Sequence, residues 1–340
     1  MINKGRIFKL VIIVLILAGF IYFFVSSPTP AQDITWGVSF SKKHALALGL
    51  DWKKVYLALL DDLGVSDLRL STYWDLGEPI DDRFDFTDLD WQLARASERD
   101  VPVLLIIGRK LPRWPECHIP AWADSLEEGK QREELLEWLE VVVLRYKNDQ
   151  TIWAWQVENE PLFMFGECPR MSKEFLKREV ELVRKLDDRP IIVTSSGEWS
   201  FWFSAARLAD IPGSTMYKRV WFSLPDFLKN LFLNKWTGFY AYYPFPPKFY
   251  RAKADIINKV FDKEVIITEL QAEPWGPVLL YDLPFEKQGR TMNLEKFKKM
   301  IQFARQSGFP RFYLWGGEWW YWLKTVQNDS SIWDEAGKLW

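Results

Sequence analysis

Two short stretches of the chain decide the fold, TIWAWQVENEP at residues 151–161 and EVIITEL at residues 264–270. Each is an apolar run rich in β-branched or aromatic residues, which is typical of a strand buried on both faces. Each run ends at a glutamate, Glu160 in the first and Glu269 in the second. Their separation equals three repeats of about 36 residues, and eight such repeats have the usual size of a (β/α)₈ barrel.

Short apolar runs alternate with longer helical patterns over the rest of the chain, which indicates parallel βα units. The sixth strand is the least regular, and Gly238–Tyr243 is an alternative for it. A doubly wound sheet is disfavoured because no glycine-rich phosphate turn follows the first strand. The pattern therefore predicts an α/β (β/α)₈ barrel with strands at Ile34–Phe40, Val65–Ser71, Val101–Ile107, Ile152–Val157, Pro190–Ser195, Ser214–Val220, Glu264–Glu269 and Arg311–Trp315.

The amino-acid composition limits the kinds of molecule that the chain is expected to bind. The 340 residues carry a formal net charge of −2, and no basic block is available to hold phosphates, which argues against nucleic-acid binding. The two histidines, His44 and His118, stand in no metal-ligand spacing. We expect neither a metal nor a cofactor, and we expect a neutral partner and a monomer.

The N-terminus predicts export of the rest of the chain. Leu10 to Val25 is an uncharged, almost wholly apolar segment, and the cations precede it. We predict a membrane anchor or signal segment at residues 1–27, a linker at 28–33 and one catalytic domain at 34–340, outside the cytoplasm. An uncleaved transmembrane anchor is favoured, with cleavage after Ala31 as the alternative.

The two cysteines, Cys117 and Cys168, lie a few residues beyond the ends of consecutive predicted strands. A barrel would bring their loops side by side. A disulfide in an oxidising compartment and two free thiols both remain open at this point.

Aromatic residues make up 16% of the chain, and Trp alone occurs 20 times. Clusters at Trp114–Trp122, Trp199–Trp202 and Trp315–Trp322 each follow a predicted strand, and indole faces in such loops suit the C–H faces of sugars. The aromatic insertion Phe222–Pro247 indicates an extended cleft, a cap over an exo-acting pocket, or a surface that rests on a membrane.

Asn-Glu-Pro at the end of a fourth strand and a glutamate at the end of a seventh resemble the retaining glycoside hydrolases of clan A. The resemblance covers Ile34 to Trp322 and is closest in style to the cellulase-like and β-galactosidase-like branches. It implies hydrolysis of a β-linked glycan by double displacement, with Glu160 as general acid/base and Glu269 as nucleophile.

Four further residues match positions of the clan's site. Asn159 would hydrogen-bond the sugar 2-hydroxyl, and Arg69 would hold the nucleophile. Tyr217 would donate to Glu269, and Trp315 would form the floor under the sugar at the cleavage point.

Three more residues are predicted to contact substrate: His118 in the third loop, Glu318 in the eighth loop and Trp36 in the first strand. Glu198 and Glu273 are weaker candidates of the same kind. Glu158 is interpreted as structural because side chains alternate along a strand.

Two alternatives stay open. A cell-surface barrel could bind an oligosaccharide or polysaccharide without turnover. The same two glutamates could also act as a transglycosylase that transfers the sugar to another sugar rather than to water.

Overall fold

The computed structural model describes residues 4–25, 28–223 and 238–340, and a closed barrel of eight parallel strands lies at its centre. Each strand pairs with the next in chain order, and the last strand closes on the first. The predicted barrel is therefore confirmed. Its strands are β1 (Thr35–Phe40), β2 (Leu68–Ser71), β3 (Val103–Ile107), β4 (Ile152–Val157), β5 (Ile191–Ser195), β6 (Ile211–Met216), β9 (Ile266–Gln271) and β10 (Arg311–Trp315).

Helices surround the barrel because each buries one apolar stripe against it. α8 illustrates the pattern: Ser172 caps its first turn by accepting from the Phe175 backbone N–H at 3.1 Å, and Phe175, Val180 and Val183 are buried. The described helices are α1 (Lys4–Phe24), α2 (Lys42–Ala47), α3 (Trp52–Asp61), α4 (Trp74–Gly77), α5 (Thr87–Ser97), α6 (Ala121–Asp124), α7 (Glu128–Tyr146), α8 (Lys173–Leu186), α9 (Phe203–Leu208), α10 (Pro247–Phe261), α11 (Phe285–Gln288), α12 (Leu294–Ser307), α13 (Gly317–Val326) and α14 (Ser331–Ala336).

Side chains from five strands fill the middle of the barrel in one layer. The layer is small beside the core between strands and helices, as expected when side chains point alternately inward and outward. Its members are Leu104, Ala154, Ile192, Ile266 and Tyr313.

The sixth strand begins and ends earlier than predicted. β6 ends at Met216, and Arg219–Ser223 forms a separate strand, β7, that pairs antiparallel with β8 (Gly238–Tyr242) outside the barrel. The prediction of Ser214–Val220 was thus wrong at both ends, and the alternative at Gly238–Tyr243 is not a barrel strand.

The physical reason lies in Pro212 and Gly213, a pair that reads as a turn in sequence. In the barrel, a Cβ atom on Gly213 would lie 2.8 Å from the Thr194 methyl and 2.9 Å from the Thr268 methyl. Glycine is therefore needed for close packing and does not break the strand. The hypotheses about the aromatic insertion fall largely on residues 224–237, which lie outside the described residues.

The N-terminal helix α1 ends against α10. The Tyr22 hydroxyl donates to the Ala252 carbonyl at 3.4 Å, and the Phe23 and Phe249 ring centroids are 6.0 Å apart. Within the described ranges, the structure contains no helix with the length and apolar character needed to cross a bilayer. Residues 1–3 and 26–27 of the predicted anchor lie outside those ranges.

Candidate active site

Glu160 lies three residues past the end of β4 and is 7% exposed. Its backbone has a φ of 42°, a left-handed conformation that is costly for a residue with a Cβ and is concentrated at functional sites. Its N–H donates to the Thr194 hydroxyl at 2.7 Å, and the Thr215 hydroxyl donates to Oε1 at 3.3 Å. Burial and the charge of nearby Glu269 raise the pKa of Glu160 to about 8.

Glu269 stands in the second half of β9 and is 3% exposed. Ser214 and Thr215 of β6 are opposite Ile267 and Glu269, so β9 contains one extra residue at this point. Such a bulge redirects the side chains that follow it. Glu269 Oε1 accepts from Arg69 at 3.3 Å, and Oε2 accepts from the Tyr217 hydroxyl at 2.8 Å.

Arg69 connects the two sides of the site. From β2, its guanidinium donates to Glu269, to Asn159 Oδ1 at 2.8 Å, to Gln156 Oε1 at 2.9 Å and to Ser39 Oγ at 3.3 Å. An arginine buried to 1% exposure requires this many acceptors because its charge has left water. Asn159 therefore uses its oxygen on Arg69, and among the described residues its buried Nδ2 donor has no partner.

Tyr217 is the first residue after β6, and Glu198 fixes its backbone through a hydrogen bond. The Tyr217 backbone N–H donates to Glu198 Oε1 at 2.9 Å, and the Tyr250 hydroxyl donates to the same oxygen at 2.7 Å. Burial raises the pKa of Glu198 to about 7. Glu198 thus positions Tyr217, and its bonded oxygen is not free to accept from a sugar.

Trp315 closes β10 and is 8% exposed. The guanidinium carbon of Arg113 lies 3.8 Å from its ring centroid, which is a cation–π contact. Arg113 is in turn ion-paired with Glu273 and, at 3.0 Å, with Glu318. Burial alone would raise the pKa of Glu273, but Arg113 and His44 outweigh it and lower that pKa to about 2.

Glu318 and His118, both predicted to contact sugar, are bonded to other parts of the protein. Glu318 is fully buried and accepts from Arg113 and from the Ser41 backbone N–H. His118 is 1% exposed, and its two ring nitrogens contact the Arg113 carbonyl at 3.2 Å and Lys43 Nζ at 2.9 Å. Burial lowers the pKa of His118 to about 3. Both residues contact Arg113 and help to hold it in place.

Trp36, also predicted to contact substrate, lies away from the two glutamates. Trp36 is the second residue of β1, at the amino end of the barrel, whereas Glu160 and Glu269 lie at the carboxyl end. Its ring stacks on Phe312 at 5.1 Å and is 4% exposed. Its position in the strand determines this, because residues early in a barrel strand cannot reach the loops at the other end.

The loops after β3 and β4 are joined by a disulfide and by several hydrogen bonds. Cys117 and Cys168 form a disulfide, so the paired interpretation of the two cysteines is the one that the structure contains. Lys110 Nζ donates to the Glu160 carbonyl at 2.9 Å and to the Phe163 carbonyl at 2.6 Å. These links hold the backbone around Glu160 in place.

A narrow cavity of about 10 Å³ opens beside Arg69 and Trp315. Its lining combines hydroxyl groups with aromatic and cationic surface. The lining residues are Ser39, Phe40, Ser41, Arg69, Ser71, Tyr73, Ile106, Pro112, Arg113 and Trp315.

Sequence reasoning missed Arg113, Lys110, Gln156 and Thr215 as parts of the site. Gln156 is an amide in an otherwise apolar strand, and that was a usable signal because a buried amide needs partners. Arg113 and Lys110 lie in an irregular loop, where no periodicity indicates the direction of a side chain.

The fold resembles solved structures of glycoside hydrolases. A β-galactosidase from the Antarctic haloarchaeon Halorubrum lacusprofundi superposes with a TM-score of 0.55 at 15% identity, over 83% of this chain and 52% of that one. A GH5_18 protein from Streptomyces cattleya, in complex with GlcNAc, gives 0.54 at 13%, over 85% and 71%. A family 10 endo-β-1,4-xylanase from Gloeophyllum trabeum gives 0.51 at 15%, over 84% and 85%.

These neighbours are clan A glycoside hydrolases, so the resemblance found in the sequence is confirmed for the fold. The chain spans about half the length of the haloarchaeal β-galactosidase. Neither a protein-family model nor a curated protein matches the sequence.

Proposed function

We propose that this protein is a retaining β-glycoside hydrolase in which Glu160 is the general acid/base and Glu269 is the nucleophile. The observation that carries the proposal is the contrast between the surroundings of the two carboxyls. Burial and a neighbouring negative charge raise the pKa of Glu160 to about 8, so it holds a proton at neutral pH. Glu269 is instead ion-paired with Arg69 and accepts a hydrogen bond from the Tyr217 hydroxyl.

The reaction follows from these two states. Glu160 gives its proton to the leaving oxygen while a carboxylate oxygen of Glu269 attacks the anomeric carbon and forms a glycosyl ester. Glu160, now ionised, removes a proton from water, and that water attacks the ester with a second inversion. Net retention of configuration results from the two inversions.

Arg69 and Tyr217 hold both oxygens of Glu269 in position, which lowers the entropy cost of attack. Asn159 presents its unused Nδ2 donor to a sugar hydroxyl, because Arg69 fixes the other end of the amide. Thr215 donates to Glu160 and stabilises the anion that forms when the proton leaves.

The proposed substrate is a neutral β-linked glycan or oligosaccharide. The mildly acidic chain and the hydroxyl-lined cavity beside Trp315 support this class. The structural neighbours include a β-galactosidase and an endo-β-1,4-xylanase, which also supports the β configuration.

The test is turnover of aryl β-glycosides with gluco, galacto, manno and xylo configuration by the full chain, beside Glu160→Ala and Glu269→Ala. We expect activity to be lost in both variants. Azide should restore turnover with an inverted product in Glu269→Ala, because a small anion then replaces the missing nucleophile. A retained product in that variant, or unchanged activity in either variant, would contradict the assignment.

A location outside the cytoplasm is part of the proposal. The Cys117–Cys168 disulfide supports it, since such bonds persist in oxidising compartments. Alkylation of unfolded protein taken directly from intact cells should label neither cysteine. Labelling of both would contradict the location.

A further inference from the structure

Glu116 lies in the loop after β3, and its backbone is held firmly. Its φ is 64°, its N–H donates to the Arg113 carbonyl at 2.7 Å, and its carbonyl accepts from the Leu111 N–H at 3.0 Å. A Cβ atom on Gly166 would lie 2.8 Å from the Glu116 Cβ, so the loop after β4 packs directly against it. The next residue, Cys117, is in the disulfide that joins the two loops. The side chain is therefore presented from a fixed base.

The Glu116 carboxyl is buried close to the charged groups of the candidate site. The residue is 7% exposed, and the charges of Glu269, Glu160, Lys110 and Arg69 all act on its carboxyl. Burial, together with the two neighbouring glutamates, raises the pKa of Glu116 well above its ordinary value, although Lys110 opposes the shift. A third carboxyl thus faces the same small volume as the two proposed to react.

Glu116 differs from the other buried carboxyls around the site. Glu158, Glu198 and Glu318 each accept hydrogen bonds from described residues. Glu273 Oε2 has no hydrogen-bond partner among those residues, but its other oxygen is ion-paired with Arg113. Glu116 Oε2 is buried and has no hydrogen-bond partner within the described ranges, and the same ranges contain no ion pair to this side chain. A buried polar oxygen without a hydrogen-bond donor costs free energy. A ligand that supplies the donor removes this cost, and its binding is stabilised by that amount.

We propose that Glu116 is a substrate-binding residue whose Oε2 accepts a hydrogen bond from one hydroxyl of the glycosyl unit that Glu160 and Glu269 act on. The inference rests on the proposed function and adds a specificity element to the same site. The preferred unit is a neutral sugar with that hydroxyl free. A sugar that lacks the hydroxyl, or carries an acyl or methyl group on it, leaves the oxygen unpaired and is rejected.

The experiment pairs changes in the enzyme with changes in the substrate. The full chain and its Glu116→Ala variant are assayed on the aryl β-glycoside turned over best, and on analogues of it that each lack one hydroxyl. In the wild type, we expect one analogue to lose about 10- to 100-fold in kcat/KM beyond the loss that the others show. In Glu116→Ala, the parent substrate should show a similar loss, and that analogue should show no extra loss.

Glu167→Ala is the matched control, because Glu167 is an exposed carboxylate on the loop that packs against Glu116. It should behave as the wild type does on every substrate. Glu116→Gln keeps the side-chain volume and serves if Glu116→Ala does not fold. Equal losses on removal of each hydroxyl in wild type and variants would overturn the inference while leaving the proposed function intact.

Calorimetric binding of the corresponding methyl β-glycosides gives a readout without turnover. If the wild type turns over no glycoside but binds one, and only Glu116→Ala loses discrimination at one hydroxyl, the inference stands and the hydrolase proposal fails. If no glycoside binds, both are overturned.

Discussion

The two ends of the barrel both contain buried charges, and only one of them has the features of a site. At the amino end, Asp67 is fully buried, accepts from the Tyr313 hydroxyl at 2.9 Å and lies 3.4 Å from Arg311 Nε. Burial raises the pKa of Asp67 to about 7. At the carboxyl end, Glu160 has a comparable shift, to about 8. A raised pKa alone therefore does not identify a catalytic carboxyl.

The difference lies in what surrounds each carboxyl. At the amino end, Arg311 stacks on Trp153 at 4.1 Å, and Trp153 Nε1 donates to the Tyr313 hydroxyl at 3.2 Å, so a small closed group supports Asp67. The carboxyl end combines a cavity with several buried carboxyls, among them Glu160 and Glu269. Polar groups that converge on a cavity are what distinguish a binding site. Buried polar atoms without a hydrogen-bond partner do not, because the described residues contain them at both ends, Asp67 Oδ2 at the amino end and Asn159 Nδ2 at the carboxyl end.

The largest contrast should come from one arginine at each end. Arg69→Met removes the cation that holds Glu269, Asn159 and Gln156, so we expect kcat/KM to fall about 10²- to 10³-fold and the free energy of unfolding to fall by about 3–5 kcal/mol. Arg311→Met should lower stability less, since Arg311 is partly exposed, and should leave kcat/KM within about twofold. Urea unfolding and steady-state kinetics measure both. Equal activity losses would remove the distinction between the ends.

Two tryptophans give the next contrast. Trp315→Phe should lower kcat/KM about tenfold, because a smaller ring offers less surface to the sugar and to Arg113. Trp36→Phe should leave kcat/KM unchanged and lower the free energy of unfolding by about 1–2 kcal/mol, as expected for lost core packing. Steady-state kinetics and thermal unfolding of the two variants measure these effects. A kinetic effect of Trp36→Phe would support the substrate contact that the sequence predicts for Trp36.

A smaller effect should appear in the pH profile. Activity needs protonated Glu160, so kcat/KM should fall as pH rises through about 8. The Thr215 hydroxyl donates to the ionised carboxyl and lowers its pKa, so Thr215→Val should move the alkaline limb to higher pH by up to about one unit. Asp67→Asn is the control and should not move it. A shift to lower pH in Thr215→Val would contradict the assigned role.

The last prediction concerns Asp67 and stability. Its pKa is 3.8 when unperturbed and about 7 in the fold, so between these values the folded state holds a proton that the unfolded state has lost. The contribution of Asp67 to stability is therefore complete below about pH 4 and decreases as pH rises to about 7. The difference in unfolding free energy between wild type and Asp67→Asn should change with pH in that window. A difference that is constant with pH would show that Asp67 does not titrate this way.

The sequence by itself determined the barrel and the positions of Glu160 and Glu269 at its carboxyl end. Buried strands need apolar, β-branched runs, and the repeat length of βα units sets which strands the two glutamates end. The resemblance to clan A also placed Arg69, Asn159 and Tyr217 in the predicted site, and the structure joins Arg69 to Glu269 and Asn159 and joins Tyr217 to Glu269.

Tertiary structure alone decided the details that local patterns do not encode. The extra residue in β9 is visible only against both neighbouring strands. Arg113 pairs with Glu318, 205 positions away, and so turns a predicted sugar contact into part of an ion-pair network over Trp315. Loop side chains such as Arg113 and Glu116 acquire their direction from packing between distant loops, since no periodic backbone sets it for them.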